Sequence, residues 1–209
     1  MEGYTVRACI LVALVAFLGF GSNMKTCSAA NNITSNSYNT TITNFIRSSC
    51  GVTLYPQLCY TSLSSYASSI QTSHMKLAYT ALNVSMKSAR STSAMISNMS
   101  QRQDLMPREA AAVKDCVEEI GDSIDELKQS LRQMQELGGS NVDFQMSNIK
   151  TWVSAALSND DTCVDGIDSN DINAEVKNTI KKRILRVAKL TSNALALINN
   201  LSYTELQSP

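Results

Sequence analysis

Apolar residues recur at three- and four-residue steps through most of the chain, and that period is helical. The cleanest run is Val113, Val117, Ile120, Ile124, Leu127, Leu131 and Met134. Its alternation of four and three predicts a helix opening near Pro107 and packing almost antiparallel to a neighbour. Glu109 falls near the positive end of that helix, and Gly138-Gly139 ends it. Met75, Ala78, Leu82, Met86, Ala89, Ile96 and Met99 predict an earlier helix over 74–99. Beyond the glycine pair, Ser140 and Asp143 have the spacing of a capping box. The helix they open carries Phe144, Ile149, Trp152, Val153, Ala156 and Leu157 toward Cys163, with Trp152 expected in the core. A polar loop over 165–170 then leads to Asp171, a good N-cap, and to a last helix marked by Ile172, Val176, Ile180, Ile184, Val187, Ala194, Ile198 and Leu201.

The N-terminal part is less periodic. Residues 31–41 are rich in Asn, Thr and Ser and read as a loose lead-in. A short segment, Thr43–Ser49, reaches Cys50; Pro56 sits at a first helical position, and a Ser-rich helix follows to about Ile70. Four long helices with short connections predict an all-α, up-down-up-down four-helix bundle with an N-terminal helical extension.

Four cysteines fit this architecture in pairs. Cys50 and Cys59 bracket one short turn. Cys116 and Cys163 lie about equally far from Gly138-Gly139, roughly 33–36 Å along each helix. A hairpin turning at the glycines brings them together at its open end. Four cysteines allow three connectivities, and the hairpin geometry favours 50–59 with 116–163.

Disulfides need an oxidising compartment. Arg7 followed by the apolar run from Ala8 to Phe20 has the form of a signal peptide, and the run is too short to span a bilayer comfortably. Cleavage is expected between 21 and 30; the later choice removes Cys9 and Cys27 and leaves an even set. The expected organisation is a signal peptide over 1–29, a flexible segment over 30–42 and one helical-bundle domain over 43–205. Five Asn-x-Ser/Thr sequons, at Asn32, Asn39, Asn83, Asn98 and Asn200, are glycosylation candidates in a secreted chain.

Composition narrows the partners. Eighteen basic residues balance eighteen acidic ones, so the net charge is zero. That argues against nucleic acid, which demands a basic excess or patch. The last helix does cluster Lys177, Lys181, Lys182, Arg183, Arg186 and Lys189. A solvated face is the simpler reading of that cluster, and a polyanion-binding face the sharper one.

Catalytic chemistry finds little to use. His74 is the one histidine, and no hydrolase elbow, zinc-protease motif or phosphate-cradling loop occurs. Asp160, Asp161, Asp165, Asp168 and Asp171 invite a calcium reading. With Gly166 at loop position six, however, ligand positions fall on Cys163 and Ile172, so helix-end charge explains the stretch better. Asp115, Glu118, Asp122, Asp125 and Gln129 form a stripe offset from the apolar seam. Exposed there, they lack the desolvation that would tune them for acid–base work; a solubilising or partner-docking face remains. No cofactor, metal or membrane role emerges, and an enzyme is the least favoured class.

Two stretches together resemble the plant invertase and pectin methylesterase inhibitor family: Cys50-x-x-Thr53-x-Tyr55-Pro56-x-x-Cys59, and Trp152 through Gly166 with its Asp161-Thr162-Cys163-x-Asp165-Gly166 ending. Cys116 in Val113-Lys114-Asp115-Cys116 and the run Ala155-Ala156-Leu157 also fall where that family places them. The resemblance covers about 45–203. It implies a bundle with an N-terminal helical hairpin, the same two disulfides, secretion to the apoplast and inhibition of a carbohydrate-active enzyme. The Pro-Lys-Phe triplet frequent in invertase inhibitors is absent after Gly138, and the Asp161–Gly166 ending resembles the pectin methylesterase inhibitors. In those inhibitors, the second and third helices cover the esterase cleft. Carried over by position, that implies an interface of Glu118, Asp122, Asp125, Ser147, Lys150 and Thr162. The function expected is therefore a secreted, non-covalent inhibitor of pectin methylesterase. The alternatives are an invertase inhibitor and, from another class, a non-inhibitory wall protein that holds pectin on its basic helix.

Overall fold

The computed structural model describes residues 29–169 and 172–202, with side chains from residue 39 onward and excepting Ser169. The proposed signal peptide, its cleavage site, and Cys9 and Cys27 lie outside the described residues. The chain divides into two units, Met1–Asn36 and Ser37–Pro209. Of the first, the described residues are the helical 29–36; everything below concerns the second.

Helix α1 is Ala29–Cys50, α2 is Pro56–Leu63, and a 3-10 turn at Ser64–Tyr66 leads into the single turn α3, Ala67–Ile70. Four long helices follow: α4, His74–Ser100; α5, Pro107–Gln135; α6, Val142–Ser169; and α7, Ala174–Asn199. They pack in a ring, α4 on α5, α5 on α6, α6 on α7 and α7 back on α4, while α2 lies against α4 and α7. Short links between ring neighbours make this the up-down-up-down bundle that the period predicts.

The core is the apolar seam closed on itself. Leu77, Leu82 and Ile96 of α4 meet Val113, Ile120 and Leu127 of α5, Ile149 and Val153 of α6, and Ile180, Ile184 and Val187 of α7, all fully buried. Val117 and Ile124 are only partly buried at the seam's margin. Polar residues occupy core slots as well. Ser85 of α4 hydrogen-bonds Thr191 of α7, and Thr191 donates to the Val187 carbonyl at 3.1 Å. The Asn193 side chain accepts from the Tyr55 N–H and donates to the Tyr55 carbonyl, both at 3.0 Å. This two-way bond fastens the Cys50–Cys59 loop to α7. Both disulfides, Cys50–Cys59 and Cys116–Cys163, are formed.

Several boundaries differ from the sequence expectation. Helix α1 starts at Ala29 and runs through the stretch expected to be a loose lead-in. Its Asn/Ser/Thr residues are weak helix formers, but Ile42, Ile46 and Cys50 repeat at four-residue steps and are buried. Helix α6 runs on to Ser169, so most of the expected polar loop is helix, held by the fully buried Ile167. Cys163 therefore sits inside α6 rather than at its end. The N-cap of α7 is Asn173, whose side chain accepts from the Glu175 N–H at 2.9 Å; Asp171, expected in that role, lies outside the described residues. The α5–α6 turn uses Gly138 and Gly139 at φ 149° and 73°, open to glycine and strained for other residues. The expected Ser140/Asp143 box does not form there. Gln145 accepts from the Gly138 N–H at 3.0 Å and donates to the Glu136 carbonyl at 3.3 Å.

Candidate partner interface

The pairing of α5 with α6 supplies the candidate surface. Buried Cys116, Ile120, Ser123, Leu127 and Ser130 face Val153, Ala156, Asp160, Cys163 and Ile167 across the seam, and the other flanks of both helices meet solvent. Cys116–Cys163 fixes the register near one end; toward the other, Ser130 donates to the Glu126 carbonyl at 2.9 Å while its hydroxyl lies 3.5 Å from the Ile149 carbonyl of α6. A depression of about 310 Å³ lies over the disulfide, bordered by Asp115, Glu118, Glu119, Thr162 and Gly166.

The structure thus brings Glu118 and Thr162 together, and Asp122 lies one turn further along α5, exposed. Thr162 donates to the Ser158 carbonyl at 2.8 Å, which leaves its oxygen free to accept. Glu118 pairs with Lys114 and Asp125 with Lys128, each at 3.8 Å across exposed helix turns. Asp122 carries no ion pair among the described residues. Exposed Ser147 and half-buried Lys150 lie toward the glycine turn, roughly 18–22 Å along α6 from Thr162 at 1.5 Å per residue. Asp125 lies about two turns beyond Glu118 in the same direction along α5, so the six positions are spread along the hairpin rather than gathered at one point.

Phe144, one of the apolar residues that the third long helix carries, lies outside the core and is 68% exposed. The buried positions of α6 run 142, 146, 149, 153, 156, 160, 163 and 167, alternating four and three, and Phe144 falls between two of them. Helical spacing places it on the same flank as Asn148, Thr151, Ala155 and Thr162. Trp152 is half-buried rather than core, one position off the seam.

This face offers hydrogen-bonding groups and one exposed ring, Phe144. Two carboxyls of the α5/α6 pair are raised, and both owe it first to burial. Asp160 goes to about 7, with the nearby Asp161 charge adding to the shift. Glu126 is raised further by Asp122 and Asp125. Asp160 is fully buried, and among the described residues neither of its carboxylate oxygens nor the Ser123 hydroxyl has a hydrogen-bond partner. A carboxyl inside the bundle reaches no substrate. Among the described residues no His/Cys/Asp/Glu group could hold a metal ion, and no helix is long and apolar enough to cross a membrane. The His74 ring packs against Phe45 with centroids 4.8 Å apart and planes tilted by 55°, and Ser73 rather than His74 caps α4. Of the sequons, Asn39, Asn98 and Asn200 are exposed and Asn83 is half-buried; the side chain of Asn32 is not described.

The two helices tied by Cys116–Cys163 thus present a long, exposed polar flank. Residues 44–197 match the family described as plant invertase/pectin methylesterase inhibitor, and the chain belongs to that family. It is 45% identical over 170 residues to pectinesterase inhibitor 10 of Arabidopsis thaliana, covering 80% of this chain but 54%, about half, of that relative. It is 46% identical over 160 residues to pectinesterase inhibitor 11 of the same plant, covering 75% of this chain and 79% of the relative. The fold is similar to the crystal structure of a mutant form of an Arabidopsis pectin methylesterase inhibitor. That likeness has a TM-score of 0.60 at 22% identity, over 73% of this chain and 94% of that one.

Proposed function

We propose that this protein is a secreted inhibitor of pectin methylesterase that acts in the cell wall, capping the enzyme's substrate cleft with its α5/α6 face. The observation that carries the reading is the 46% identity, over three quarters of the chain, to a relative named as a pectinesterase inhibitor. The face supports it physically. Asp122, Glu118 and Thr162 offer hydrogen-bond acceptors, and exposed Phe144 offers an aromatic anchor of the kind that dominates interface energetics. Asp125, Ser147 and Lys150 widen the contact. A complex of ordinary size buries on the order of 1,600 Å² in total, forms no covalent bond and needs no cofactor. Secretion rests on the signal-peptide pattern and the two disulfides.

The test is a side-by-side titration of the oxidised protein against a plant pectin methylesterase and a cell-wall invertase. The expected result is loss of esterase activity with invertase intact. F144A, D122A and T162A should each weaken esterase inhibition, F144A by about tenfold or more, while their melting temperatures match the parent. Loss of invertase activity alone would transfer the reading to the family's other named target.

A further inference from the structure

We propose that the bundle carries a second binding site, a groove for an acidic polysaccharide with free uronate carboxylates, on the edge away from the α5/α6 face. The groove lies where the Cys50–Cys59 loop meets α7, and its volume is about 650 Å³. Lys182, Arg186 and Lys189 line one side, and Leu54, Tyr55 and Leu58 the other. The three cations follow helical steps of four and three, so they form one row with rises of about 6 and 4.5 Å. All three are exposed, and none makes an ion pair among the described residues. Their neighbours differ: Lys181 pairs with Asp168, and Lys177 donates to the Asp168 carbonyl at 3.1 Å. Among the described residues, no carboxylate lines the groove.

The opposite wall identifies the kind of polyanion. Leu54 is 71% exposed, and the Tyr55 ring faces Lys189 at 5.3 Å. Sugars present apolar C–H faces beside charged substituents, so an aromatic and aliphatic wall opposite a row of cations fits an acidic glycan better than a bare phosphate chain. The wall is also held in place. Cys50–Cys59 staples its loop, and Asn193 grips the Tyr55 backbone in both directions. Around the ring of helices, the α4/α7 edge on which α2 lies is across from the α5/α6 edge. A glycan in the groove therefore leaves the candidate enzyme-facing surface uncovered.

The site stands independently of the inhibitor reading, and its test uses no enzyme. Calorimetric titration of the full oxidised chain with an oligogalacturonate, at fixed ionic strength, should show binding that the fully methyl-esterified oligomer lacks. K182Q/R186Q/K189Q should lose about tenfold or more in affinity. L54S, at a position too exposed to matter for folding, should lose a smaller factor. K76Q/K87Q, which removes two cations from a different groove on α4, should bind as the parent does. Matching melting curves establish that each variant is folded. Equal binding of acid and ester, equal losses in K76Q/K87Q, or binding of polyphosphate as tight as that of the uronate would each overturn the proposal.

Discussion

Asp160 is the residue whose environment most contradicts its chemistry. The α6 seam places it between the buried Ala156 and Cys163, and it is 0% exposed. Burial raises its carboxyl from 3.8 to about 7. Between those values the folded chain holds a proton that the unfolded chain has released. Stability from this group therefore falls as pH rises from about 4 to 7, by an amount on the order of 4 kcal/mol. D160N keeps the shape and removes the titration. Its unfolding midpoint should nearly match the parent at pH 4 and exceed it above pH 7; parallel pH profiles would sink the assignment. Asn193 is the contrasting case, a buried polar group with its bonds satisfied. N193A leaves both Tyr55 backbone groups without that partner and should cost about 2–4 kcal/mol in urea unfolding, whatever the pH.

Among the elements, the helix ends show what pattern reading reaches and what it misses. The α5 seam was legible because its four-and-three alternation has one solution. The extension of α6 through Ser169 was not, because Asp165-Gly166-Ile167-Asp168 has a loop-like composition while one residue, Ile167, holds it in register. Glu109 shows the same limit. Its position in the first turn of α5 was readable as a dipole effect, but its long-range partner was not. It accepts from the Met106 N–H at 2.8 Å and from the Asn173 N–H of α7 at 2.6 Å, joining two helix starts that are 64 residues apart in sequence. Those two donors, Asn173 first, hold its carboxyl below the ordinary range. Such a contribution is present above the unfolded value near 4.5 and is lost as pH falls through the depressed folded value. E109Q turns an amide N–H₂ toward one donor. It should lower the melting temperature at pH 7, with the gap to the parent closing in strong acid. A deficit that stays constant with pH would mean packing, not charge, is what the substitution disturbs.

At the scale of the whole molecule, the two disulfides brace different edges of one ring. Cys116–Cys163 ties α5 to α6 beneath the candidate enzyme-facing surface, and Cys50–Cys59 braces the loop that walls the groove on α7. Their sequence separations are 47 and 9. In the chain-entropy account, the longer loop restricts the unfolded ensemble more, so its bridge contributes about 4 kcal/mol against about 3 for the shorter one. The packing around each bridge sharpens the contrast. Asn193 still holds the Tyr55 backbone when Cys50 and Cys59 are replaced, whereas around Cys116–Cys163 the neighbouring core slots hold unpartnered Ser123 and Asp160. C116S/C163S should therefore lower the urea midpoint more than C50S/C59S. It should also weaken esterase inhibition, because Glu118 and Thr162 lose the tie between their helices. C50S/C59S should spare inhibition and weaken uronate binding instead. Denaturant curves paired with both functional assays separate these outcomes. Equal functional losses in the two variants would mean that the faces are not braced independently.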